Sequence, residues 1–109
     1  MADQETEQPV LDLLGEMTAA SLERSTLDPQ TLMLVRIAAL VAVDAPPLSY
    51  LGNLEFAGAV GLTAEDVQGV LTAVAPIVGT TRVVSSAGKI ARALGLAIML
   101  DEEEALAEE

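Results

Sequence analysis

The side chains with chemistry to offer are few, and most of them gather in one short stretch. Ser49 and Asn53 lie four residues apart, which puts them on one face of a helix, and Tyr50 stands three before Asn53. A hydroxyl, a phenol and an amide so spaced can orient a small ligand by hydrogen bonds. The plainer reading has Ser49 capping or lining a first turn and Asn53 satisfying buried polar groups. Arg36 is the fourth candidate, a lone cation inside the apolar run from Leu32 to Val43. A guanidinium in such a setting needs a partner. Asp44, Glu55 or an acid of a neighbouring subunit could pair with it, or it could hold a small anionic ligand, since Arg suits bidentate carboxylate recognition. Arg82, Lys89 and Arg92 also cluster, because on a helix positions 82 and 89 nearly eclipse and 92 lies about 60° from 89. On so acidic a chain they are expected to neutralise acids across a subunit contact.

What is missing narrows the chemistry further. The 109 residues contain no Cys and no His. Disulfides, thiol redox couples and thiolate zinc sites are therefore excluded. So are imidazole acid/base catalysis, Ser-His-Asp nucleophiles and His-metal clusters. We expect no metal and no cofactor. Seventeen acidic residues against five basic ones give a net charge of −12, which repels phosphate, so no nucleic acid is expected as a partner.

Hydrophobic residues make up 51% of the chain. A chain this short buries only about two-thirds of its unfolded surface when it folds alone. Some apolar surface should therefore stay exposed on a single copy, as subunit contacts do. A membrane span is the competing explanation, and it fails on length. The run Leu32–Val43 carries Arg36, and Val67–Thr81 is interrupted by Gln68, Gly69, Thr72, Pro76 and Gly79. Neither reaches the roughly 18–20 apolar residues a bilayer requires. No basic segment followed by an apolar one opens the chain as a secretory signal would. The expectation is a soluble, cytoplasmic homo-oligomer.

The elements that must position these residues are helices. Residues 1–9 are polar and acidic and are expected to be loose. Val10, Leu13, Leu14 and Met17 then recur at helical spacing, predicting a first helix to about Arg24. Asp28 and Pro29 are an N-cap and a first helical residue for a second, central helix running to about Val43. Asp44-Ala45-Pro46-Pro47 breaks the chain, and a third helix runs from about Leu48 to Ala59 with Gly61 as its stop. Thr63, Glu65 and Asp66 open a fourth helix, which Pro76 should kink or end early. A fifth helix carries Val83, Ala87, Ile90 and Leu94 on one face, with Gly95 as its C-cap. Residues 10–100 thus read as one all-α domain. The acidic stretch 101–109 reads as a solvated tail, frayed because its charge opposes the helix dipole.

Several of these segments together carry a resemblance. Leu27-Asp28-Pro29-Gln30-Thr31 precedes an apolar helix, and Ala57-Gly58-Ala59-Val60-Gly61 closes a short one. Leu62-Thr63-Ala64-Glu65-Asp66-Val67 opens the next, and Gly79 leads into a final helix through Ala93. Over roughly residues 27–94 this pattern resembles the carboxymuconolactone decarboxylase / alkylhydroperoxidase D-like family, most specifically at Gly61-Leu62-Thr63 and Glu65-Asp66-Val67. The resemblance implies five to six helices around an antiparallel helical hairpin, assembled as trimers or hexamers. The redox branch of that family carries Cys-x-x-Cys-x-x-x-His, and those positions fall here on Pro46, Ser49 and Asn53. The acid that the family places on the preceding helix falls near Met33 or Leu34. No thiolate, resolving thiol or proton shuttle survives at these positions, so dithiol peroxidase chemistry is not expected. Two roles remain. One is a non-redox oligomer that binds or assembles. The other is a lyase of the decarboxylase/lactone type acting on an anionic substrate, with Arg36 holding a carboxylate and Tyr50, Ser49 or Asn53 steadying an enolate-like intermediate.

Overall fold

Helix boundaries follow the capping chemistry closely. In the computed structural model the described residues are 8–108, with side chains described from 8 to 95. Five helices occupy them: α1 Pro9–Arg24, α2 Pro29–Ala42, α3 Pro47–Ala59, α4 Ala64–Val78 and α5 Thr80–Glu108. Among the described residues there is no strand. Prolines stand at the start of α1, α2 and α3, where a missing N–H leaves no helical bond unmade. Asp28 caps α2, accepting from the Thr31 amide at 2.9 Å and the Thr31 hydroxyl at 2.8 Å. The bond from the Thr31 amide, seconded by its hydroxyl, holds the Asp28 carboxyl below the ordinary range. Thr63 and Asp66 close a capping box on α4: the Thr63 amide donates to Asp66 Oδ2 at 2.9 Å, and Thr63 Oγ1 accepts from the Asp66 amide at 3.2 Å.

Helix α2 lies at the centre, packed against α3, α4 and α5, and α3 packs along α5. Leu32, Met33, Ile37 and Val41 of α2 are buried. Tyr50 and Ala57 of α3, Val67 and Val70 of α4, and Ile90 and Ala93 of α5 complete the core. Between α3 and α4 the chain turns at Gly61, whose φ of 95° only glycine adopts without strain. A Cβ there would stand 3.0 Å from Gln30 Nε2, which itself donates to the Val60 carbonyl at 2.9 Å.

Three expectations need correction. Pro76 does not end α4, which runs on to Val78; it sits in the last turn, where its missing N–H removes one bond, to the Thr72 carbonyl. Gly95 is not a cap. A C-cap glycine takes a left-handed backbone, as Gly61 and Gly79 do, whereas Gly95 continues α5. Residues 101–108 are not a separate tail but the last turns of the same 29-residue helix. Helix α2 is central as expected, with Val35 53% exposed on the face turned away from the core. The loose start expected for 1–9 lies largely outside the described residues, and Pro9 is already helical.

Candidate functional site

A cleft of about 410 Å³ opens between α1, α2 and α3. Three sequence candidates line it: Arg36 from α2, and Ser49 and Asn53 from α3. Gly52 and Phe56 join them because 49, 52, 53 and 56 follow the i, i+3, i+4, i+7 rule of one helix face. Leu22, Met33 and Leu48 supply apolar wall, and Thr18 of α1 closes one side. The cleft is therefore an apolar body with one cation and three polar side chains, the usual make-up of a small-molecule site.

Arg36 is half-buried, and its geometry is the most telling feature. Nη2 donates to Ser21 Oγ at 2.9 Å and to the Thr18 carbonyl at 3.3 Å. Both acceptors are neutral, so they hold the guanidinium in place without balancing its charge. No ion pair of Arg36 with an acid exists among the described residues. The expected pairing with Asp44 is not made, because Asp44 sits on a different corner and is taken by Lys89.

Asn53 donates through Nδ2 to the Ser49 carbonyl at 2.8 Å, one turn back along α3. The bond fixes the amide beside Ser49 and spends one of its two N–H groups. Ser49 in turn donates its amide to the Pro46 carbonyl at 3.0 Å, closing the first turn of the helix. Pro46 is the residue before α3, in extended backbone, and does not line the cleft.

Tyr50 departs from expectation. One residue on from Ser49 is a rotation of about 100°, and that turns the phenol into the core. It is wholly buried, its hydroxyl has no partner among the described residues, and it does not line the cleft. A Ser/Tyr/Asn trio is thus reduced to Ser49 and Asn53. Thr18, Ser21, Leu22, Gly52 and Phe56 were missed. Continuing the Ser49 face by helical spacing would have found the last two, whereas the α1 residues come from another helix and leave no sequence signal.

Two members of the second cationic group, Arg82 and Lys89, make bonds within the chain. Lys89 Nζ lies 2.8 Å from Asp44 Oδ1 and donates to the Asp44 carbonyl at 3.3 Å. Ser85 Oγ donates to the same carboxylate at 3.3 Å, and Arg82 Nη1 donates to the Ala42 carbonyl at 2.7 Å. Asp44 has a φ of 55°, a left-handed position that Asp tolerates better than most residues. The bond from Lys89 chiefly holds its carboxyl below the ordinary range. Arg92 takes no part in this corner.

Among the described residues no group of His, Cys, Asp and Glu is placed to hold a metal ion, and no helix is long and apolar enough to cross a membrane. These features define a chain of packed helices with a cationic, largely apolar cleft. It matches no family model, no curated protein and no solved structure.

Proposed function

We propose that this is a homo-oligomeric helical protein, similar in plan to the carboxymuconolactone decarboxylase / alkylhydroperoxidase D-like proteins, that binds a small organic carboxylate between α1, α2 and α3. It works in the cytoplasm, as a trimer or hexamer, and without dithiol peroxidase chemistry. The observation that supports this reading is the charge of Arg36, which no acid pairs with among the described residues. Its guanidinium borders an apolar cleft and rests on two neutral oxygens, so an incoming carboxylate supplies the missing counter-charge. Phe56, Leu48 and Met33 suit an apolar ligand body. Ser49 and Asn53 add polar atoms that set its orientation.

Titration calorimetry with benzoate and with its neutral analogue benzamide tests the reading. Benzoate should bind and benzamide should not, and Arg36→Met should weaken benzoate at least tenfold, since a hydrogen bond to a charged group contributes about 1.5–3 kcal/mol. Equal binding of both probes, or an unchanged affinity in Arg36→Met, overturns it.

A lyase acting on an anionic lactone is the second reading, favoured by the meeting of Arg36, Ser49 and Asn53 in one cleft. Against it stands the lack of a proton carrier on the cleft wall among the described residues, with the Tyr50 phenol turned into the core. Release of CO₂ from a γ-lactone carboxylate, abolished by Arg36→Met, would establish the lyase over the binding protein.

A further inference from the structure

We propose that α1 is a docking helix whose apolar stripe seats in the α2–α4 groove of a second copy of this chain. The inference rests on the reading of the protein as a homo-oligomer and assigns the two faces that meet. Helix α1 contributes no buried residue to its own fold. Val10, Leu11, Leu13, Leu14 and Met17 are each between 49% and 66% exposed. Together they leave on the order of 500 Å² of apolar side chain in water, as much as the largest patch of an ordinary monomer. Val10, Leu13, Leu14 and Met17 fall within an arc of about 100°, at the anchor spacing of a helix that lies in a groove. Arg24 lies on the same side of α1 two turns beyond Met17, past the Ser21 that is bonded to Arg36, and has no partner among the described residues.

A groove of matching character runs between α2 and α4, about 770 Å³ in volume. Leu34, Ala38, Gly69, Val70 and Ala73 line it together with the polar Gln68 and Thr72, and Glu65 and Asp66 line it from the start of α4. Gly69 has open space where a Cβ would be, which lets another helix approach closely. From Met17 to Arg24 is about 10 Å along α1, and from Ala73 back to Glu65 is about 12 Å along α4. With the helices antiparallel, Met17 meets Ala73 while Arg24 meets Glu65.

The occupant cannot be the chain's own α1. That helix is tied to Arg36, and on α2 the groove residues 34, 35 and 38 point roughly 150° away from the side that carries 33 and 36. A contact that joins one face to a different face is heterologous, and it closes into a ring when the rotation permits. Each chain then takes part in two such contacts, one through its stripe and one through its groove, each burying somewhat less than the roughly 800 Å² per partner of a standard interface. The docked α1 also carries Thr18, a wall of the Arg36 cleft, so assembly holds that wall in place.

The absence of cysteine makes cross-linking a clean test. Full-length Met17→Cys and Ala73→Cys chains are oxidised singly and as a mixture, and light scattering gives the mass of the wild type. A disulfide-linked dimer should form in the mixture and in neither chain alone. Arg24→Glu should weaken association about two- to fivefold at low salt, as expected for an exposed ion pair, and adding Glu65→Arg should restore it. Cross-linking of Met17→Cys with itself would pair α1 with α1 and overturn the proposal. So would a wild type of several times 11.3 kDa whose mixture gives no cross-link, while leaving the oligomeric reading intact. A wild type of 11.3 kDa would overturn both.

Discussion

Lys89 reaches from α5 to the corner after α2, placing Nζ 2.8 Å from Asp44 Oδ1 and 3.3 Å from the Asp44 carbonyl. One ammonium thus satisfies both the side chain and the backbone of a residue held at positive φ. Ser85 and Arg82 add two more bonds to the same corner, which pins the start of α5 to the end of α2. The Asp44 carboxylate belongs to this clamp, which is why Arg36 is left without it.

The clamp predicts a pH dependence. The Asp44 carboxyl is held below its ordinary value of 3.8 in the folded chain, chiefly by Lys89. A depressed carboxylate stabilises the fold above its unfolded value and loses that contribution as pH falls through the folded one. Thermal midpoints of wild type and Lys89→Met should therefore differ most above about pH 5 and converge toward pH 3. The gap should also shrink with salt, because the pair is exposed. A gap that stays constant from pH 6 to pH 3 would show that Lys89 acts by packing alone.

Gly61→Ala should be destabilising by about 1–3 kcal/mol, since it forces a non-glycine residue to a φ of 95°. The added methyl also meets Gln30 Nε2 at 3.0 Å and disturbs the bond from Gln30 to the Val60 carbonyl. Chemical denaturation measures the loss. Gln30→Ala/Gly61→Ala should recover none of the backbone strain, so a double variant as stable as Gln30→Ala would refute the strain argument.

What could be read from the sequence was local. Asp28 before Pro29, Thr63 three before Asp66, and Gly61 after Ala59 each answer a backbone need within a few residues, so their types announced their roles. Ser49 and Asn53 were legible as a pair for the same reason. The direction of Tyr50 was not, because which side of α3 faces the core depends on α2 and α5. Nor was the extent of α5, where Gly95 carried a stop signal that a long helix overrode. The Thr18 and Ser21 contacts to Arg36 cross between helices and leave no periodic trace.

Two hydroxyls inside the core carry a cost that substitution can remove. Tyr50 and Ser86 are wholly buried, and neither hydroxyl has a partner among the described residues. An unpaired buried polar group costs about 1–3 kcal/mol. Tyr50→Phe and Ser86→Ala should each therefore raise the thermal midpoint, by about 4–8 °C per kcal/mol recovered in a chain of this size. A fall of similar size in either variant would mean that the hydroxyl is bonded to a buried water.

Gly52 separates the shape of the cleft from its charge. It lies on the cleft face of α3, exposed, and a Cβ there meets nothing within 4 Å. Gly52→Ala should stabilise the chain by about 0.5–1 kcal/mol, because glycine inside a helix carries excess unfolded-state entropy. Gly52→Leu should keep that gain in helix propensity and fill the space between Phe56 and Arg36. Benzoate binding should then fall by tenfold or more although every charged group is retained. If Gly52→Leu folds normally and binds benzoate as the wild type does, the ligand sits on the Arg36 surface rather than inside the cleft.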